Sequence, residues 1–216
     1  MTADYPDKVM KILAAAYPNA RCELDYKTPV QLLVAVILSA QCTDKRVNMV
    51  TPELFRKYPD ARAFASAAPG ELEEAIRSTG FFRSKARNIQ ACCRALVERF
   101  GGKLPGTMDE LISLAGVGRK TANVLLDTVF GRNEGVCVDT HVLRLSGRLG
   151  FSQASDPEGV ERDLMKLFKR NKWGKISTWL IWHGRRRCNA RRPDCGNCEL
   201  FRLCPSSEKK QFLEKK

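Results

Sequence analysis

A lysine placed just beyond a Gly-Val-Gly turn is a candidate nucleophile. In Leu114-Ala115-Gly116-Val117-Gly118-Arg119-Lys120-Thr121-Ala122, two glycines one residue apart permit a tight turn whose N–H groups point outward. A helix starting directly afterwards adds its positive end. A phosphate fits such a cradle, with Lys120 beside it. A lysine amine attacks an aldehydic carbon to form a Schiff base when some fraction is deprotonated; a plain helix connection with a solvent-facing lysine uses the same residues. Asp139, in Val138-Asp139-Thr140-His141, either caps the following helix or presents a carboxylate into a cleft shared with Lys120, where it stabilises positive character on a sugar ring. Both roles hold if one oxygen takes backbone N–H bonds and the other faces the reacting group. His141 offers a phosphate contact or a structural hydrogen bond.

A second chemistry lies near the C-terminus. Cys188, Cys195, Cys198 and Cys204 fall in the spacing Cys-x6-Cys-x2-Cys-x5-Cys. Four thiolates at short loop spacings suit tetrahedral zinc or a cubane iron–sulfur cluster, and softness with ligand count does not choose between them. Either would tie down a polar tail that hydrophobic packing alone does not hold. The total of nine cysteines is odd, which speaks against an extracellular disulfide framework and for a reducing setting.

Charge narrows the partner. The 216 residues carry 37 Lys and Arg against 24 Asp and Glu, a formal +13, which favours a polyanion. Between Arg162 and Arg192 there are 11 basic residues and one acid, Asp163, a density that engages several phosphates. Trp173, Trp179 and Trp182 interleave with them as core anchors or base-stacking platforms. The apolar run Val30–Leu38 is far shorter than the roughly 20 residues needed to cross a bilayer, so no membrane role is expected. Gln41 can fill space vacated in a base stack or link core helices. One of Phe81 and Phe82 can wedge between bases or both can be core.

The elements that must position these groups read as helices. Thr28-Pro29-Val30-Gln31 supplies an N-cap, a first-turn proline and a capping-box glutamine ahead of a run apolar nearly all round, the mark of a central buried helix. Further starts are expected at Thr51-Pro52, Pro69, Ser84 or a nearby residue, Thr107, Arg119 or Lys120, Asp139 or Thr140, and Asp156, with a last helix over 176–183. The glycine turn thus sits between two helices. No period-two strand is evident, so an all-α fold is expected. The polar stretch 131–135 is the best internal boundary, and the charged tail 206–216 is expected to be partly disordered.

Taken together, Leu38-Ser39-Ala40-Gln41, Ser84-Lys85-Ala86, the hairpin from Leu114 to Asn123, Val138-Asp139-Thr140-His141 and the cysteine array resemble endonuclease III, of the helix-hairpin-helix DNA glycosylase superfamily. The resemblance spans nearly the whole chain. It implies a helix-hairpin-helix glycosylase fold, with a six-helix domain over 22–131 and a discontinuous cluster domain from 1–21 and 132–216. It implies a bifunctional DNA glycosylase and AP lyase that excises oxidised pyrimidines from duplex DNA and cleaves abasic sites by β-elimination. Lys120 would be the nucleophile and Asp139 the catalytic carboxylate, and a [4Fe-4S] cluster would sit on Cys188, Cys195, Cys198 and Cys204. Gln41 would enter the gap left by a flipped nucleotide, and Phe81 occupies a wedge position usually held by leucine. Gly116 and Gly118 would shape the backbone against DNA, with a monovalent cation on the carbonyls around them. His141, Arg144, Arg186, Arg187 and Arg191 would be further DNA contacts. Damaged duplex DNA is the implied partner, with monomeric action in the cytoplasm, at the nucleoid in a bacterium. Lys120 separates the chain from adenine-removing relatives, which generally lack a lysine there. A non-catalytic, structure-specific DNA-binding protein with the same hairpin is the competing class.

Overall fold

A computed structural model describes residues 4–213, apart from the Pro69 side chain. Its described secondary structure is helical throughout, and the chain forms two compact units. One is Glu23–Arg132; the other joins the chain up to Cys22 with that from Asn133 onward.

The Glu23–Arg132 unit is built around α2 (Pro29–Ser39), which packs on α3 (Asp44–Lys57), α6 (Phe82–Phe100) and α8 (Arg119–Phe130). Thr28 Oγ1 accepts from the Gln31 N–H at 3.2 Å, while Gln31 Oε1 accepts from the Lys27 N–H at 2.8 Å, so the start is tied from both sides. Leu32, Leu33, Val34, Ala35 and Leu38 are fully buried. Removing such a leucine side chain costs about 2–5 kcal/mol.

The expected start at Thr51-Pro52 is corrected. α3 begins eight residues earlier, with Thr43 accepting from the Arg46 N–H, and Pro52 lies inside it. Burial of Val47, Thr51 and Leu54 along one face carries the helix through a proline that removes one N–H donor. α6 starts at Phe82, within two residues of the expected Ser84. Between them lie α4 (Ala61–Ala65), capped by Asp60, and α5 (Pro69–Ile76), and α7 (Met108–Ile112) precedes the hairpin. These make seven described α-helices in the unit, two of them only five residues long.

The other unit packs α1 (Tyr5–Ala16) and α9 (Thr140–Arg148) on α11 (Trp173–Arg186), with α10 (Pro157–Leu167) against α9. Its core runs through Val9, Leu13, Val136, Val142, Leu145, Val160, Leu164, Ile176 and Leu180. The Tyr5 hydroxyl donates to the Leu149 carbonyl at 3.0 Å and the Trp182 indole N–H to the Arg21 carbonyl at 2.9 Å. The tail is more ordered than expected: Ser207–Phe212 forms a 3-10 helix, and Lys209 Nζ donates to the carbonyls of Phe201 and Cys204. The rest of the tail expectation, residues 214–216, lies outside the described residues.

Candidate functional site

α7 ends at Ile112, Gly116 turns the chain at φ +77°, and α8 begins at Arg119 behind Gly118. Gly116 is required twice over, because a Cβ there would be strained by the positive φ and would stand 2.9 Å from Asn88 Cβ. Gly118 is extended at φ −93° with open space around it, so the fold itself does not demand glycine. No side chain caps α8. Lys120 lies exposed on its first turn, an amine on an open surface beside a helix start that favours negative charge.

Asp139 is the N-cap of α9, and both of its backbone bonds go to one oxygen: Oδ1 accepts from the N–H groups of His141 and Val142, each at 2.8 Å. Oδ2 carries neither of these bonds. Behind the cap, Arg144 Nη2 donates to the Gly184 and Cys188 carbonyls at 3.1 and 3.0 Å and meets His141 Nδ1 at 3.1 Å. Burial holds the His141 pKa below its ordinary value; Arg144 and Arg185 act in the same direction, and Asp139 and the Gly184 backbone oppose them. α9 and α11 approach closely here; a Cβ on Gly184 would lie 2.9 Å from His141 Cβ.

The four clustered cysteines all line one cavity, together with Arg148, His183, Leu200, Phe201, Lys209 and Phe212. Arg148 Nη1 donates to Cys188 Sγ at 3.4 Å and to the Asn189 carbonyl at 2.9 Å, and Nη2 donates to the Ala190 carbonyl at 3.1 Å. Burial pushes the Cys198 thiol up to about 11, and Cys188, Glu199 and Cys204 add to the rise while the Leu200 backbone opposes it. Among the described residues, ligand atoms of His183, Cys198 and Glu199 gather within 4.8 Å, a grouping that can hold a metal ion. Each has other partners: the Tyr17 hydroxyl meets His183 Nδ1 at 2.9 Å, and Arg187 pairs with Glu199 at 3.0 Å.

The remaining predicted residues separate by environment. Gln41 and Phe81 are exposed and are the two described non-glycine residues at positive φ, +52° and +49°. Arg186 stacks over the Trp182 ring, 3.8 Å from its centroid, and Arg191 is exposed. Arg187 is committed to ion pairs with Asp194 at 2.6 Å and Glu199, and Arg144 to the interior bonds above.

The profile of the HhH-GPD superfamily base excision DNA repair proteins matches residues 34–170. The endonuclease III of Synechocystis sp. is 58% identical over 201 residues, covering 93% of this chain and 92% of that one. That of Bacillus subtilis is 43% identical over 195 residues, covering 90% and 89%. The chain belongs to the endonuclease III family.

Solved structures agree with that membership. A trapped endonuclease III–DNA covalent intermediate superposes with a TM-score of 0.92 at 42% identity, covering 99% of this chain and all of that one. A non-covalent endonuclease III–DNA complex gives 0.92 at 43%, with both chains fully covered. In this endonuclease III-family chain, sequence reading missed Arg148, although Arg144 and Arg148 stand four apart on α9 and therefore share a face. It also missed Tyr17 and His183, which are 166 residues apart and meet only in three dimensions.

Proposed function

We propose that the protein is a bifunctional DNA glycosylase and AP lyase acting on oxidised pyrimidines in duplex DNA. The observation that carries this reading is the uncapped, exposed start of α8 with Lys120 on its first turn, in a chain that aligns over its length with a relative caught as a covalent DNA intermediate. Lys120 Nζ attacks C1′ of the damaged nucleotide, and the base leaves with the glycosidic electron pair. The bound amine then opens the sugar to an imine, a proton is lost from C2′, and the C3′–O bond breaks by β-elimination. Asp139 supplies the carboxylate that stabilises positive charge on the sugar and manages protons, Oδ1 holding its own helix start while Oδ2 serves the reaction. Gln41 and Phe81 enter the duplex, Gly116 and Gly118 let the hairpin backbone approach a phosphate with a monovalent cation on nearby carbonyls, and His141, Arg186 and Arg191 add contacts. Arg144 and Arg187 serve mainly to hold the Cys188 region.

Cys188, Cys195, Cys198 and Cys204 fit a [4Fe-4S] cluster because the donor set is all sulfur and all four side chains line one cavity. Burial and neighbouring thiolates raise Cys195 and Cys198, the condition that cationic iron relieves. When bound, the cluster would cross-link the tail and the Cys188 loop. Competing readings separate on one measurement, borohydride reduction with duplex DNA containing an abasic site. A covalent adduct supports the lyase, and its absence from folded, iron-loaded protein would leave only a DNA-binding role.

A further inference from the structure

Lys85 is buried, with only 4% of its surface exposed, yet it carries an ammonium that the proposed chemistry does not use. It sits on the first turn of α6, and Nζ donates to the Leu38 carbonyl and to the Thr79 carbonyl, both at 2.8 Å. Leu38 is in the last turn of α2, and Thr79 ends the 3-10 turn Arg77–Thr79. The ammonium therefore satisfies two carbonyls at helix ends, where positive charge is favoured and partners within the helix are missing. Its backbone N–H adds a third bond, to the Phe81 carbonyl at 3.0 Å.

Each of the two carbonyls lies just upstream of a residue proposed to enter DNA. Three residues beyond Leu38 stands Gln41, and two beyond Thr79 stands Phe81, each exposed at positive φ. Such conformations cost free energy in residues with a Cβ and persist only where their surroundings over-determine them. One lysine reaches the base of both turns. Side chains that enter a duplex must offset the cost of unstacking bases, and turns ordered in advance do so without a further entropy loss on binding.

We infer that Lys85 is the positioning residue that joins the Gln41 and Phe81 turns into one lesion probe, so that the two side chains enter the duplex as a unit. The inference rests on the proposed reading of Gln41 and Phe81 as residues that enter DNA. Burial holds the Lys85 pKa below its ordinary value, opposed by Cys42, and the two carbonyls favour the charged form.

The test compares Lys85→Met with the wild type on two substrates. One is single-turnover excision of dihydrouracil from a duplex, which requires extrusion; the other is borohydride trapping on a single-stranded abasic oligonucleotide, which does not. Rates are taken per active molecule, counted by trapping on the single strand. Lys85→Met is expected to slow duplex excision about tenfold and single-strand trapping by less than about threefold. The triple variant with Gln41→Ala and Phe81→Ala should be no slower than that pair without the lysine change. Equal slowing on both substrates, unchanged duplex excision, or multiplying effects in the triple variant would each overturn the inference. If Lys85→Met does not fold, Lys85→Gln, which keeps two N–H donors on a shorter stem, is judged by the same ratio. Should Gln41→Ala and Phe81→Ala leave duplex excision unchanged, the underlying reading of the probe residues fails separately.

Discussion

Two helix starts carry the proposed chemistry, and they solve the same problem in opposite ways. α8 opens behind Gly118 with no side-chain cap, and its first turn presents Lys120 to solvent. α9 opens behind Asp139, whose Oδ1 takes two N–H bonds of its own helix. An uncapped start leaves positive electrostatic character for an external anion. A self-capped start spends that character on its own carboxylate and in return fixes where the second oxygen points. The same backbone geometry therefore serves either as an anion receptor or as a mount for an anion, depending on whether the preceding residue is glycine or aspartate.

The two starts should diverge most at the lysine. Lys120→Gln should abolish borohydride trapping, a loss of ~10^4 or more, while duplex binding measured by fluorescence anisotropy stays within a few-fold. Trapping at the wild-type rate would move the nucleophile elsewhere and erase the contrast. Next in size is Asp139→Asn, expected to slow base excision by ~10^2–10^4 with little change in melting temperature, because asparagine caps a helix about as well as aspartate. A matching drop in stability would mean that the residue works chiefly as a cap.

The two hairpin glycines refine the receptor side of the contrast. Gly116→Ala should destabilise the fold by about 1–3 kcal/mol in urea melts, from its φ of +77° and the collision with Asn88. Gly118→Ala should leave stability nearly unchanged and weaken DNA binding, since the space its methyl would fill is open in the free protein. A stability difference of about 1 kcal/mol is expected between Asp139→Ala and Asp139→Asn, because alanine loses the cap as well as the charge.

What was legible in the chain was local. Capping by Thr28, Thr107, Asp139 and Asp156 is written within four residues and appears as expected in the helix starts. The all-α fold and the helix-hairpin-helix arrangement arise from the same short-range signals. Local signals also misled. Thr51-Pro52 looks like a start, but burial of one face of α3 overrides it, and the polar tail looks unanchored because Lys209 and Glu208 find their partners only after folding. Arg187 reads as a phosphate contact because it lies in the basic stretch 162–192, and its pairing with Asp194 and Glu199 is not visible there. Lys85 was visible only as part of a motif, since its partners lie 47 and 6 residues away.

The discontinuity of the cysteine-bearing unit bears on synthesis. α1 leaves the ribosome well ahead of α11, the helix it packs on, and the Tyr17–His183 contact joins the same two regions. The Glu23–Arg132 unit can therefore close around α2 while α1 is still without its neighbours, and the last clustered cysteine emerges after both. Translation order thus makes assembly of the cysteine-lined cavity a late event, one that reports completion of the discontinuous unit.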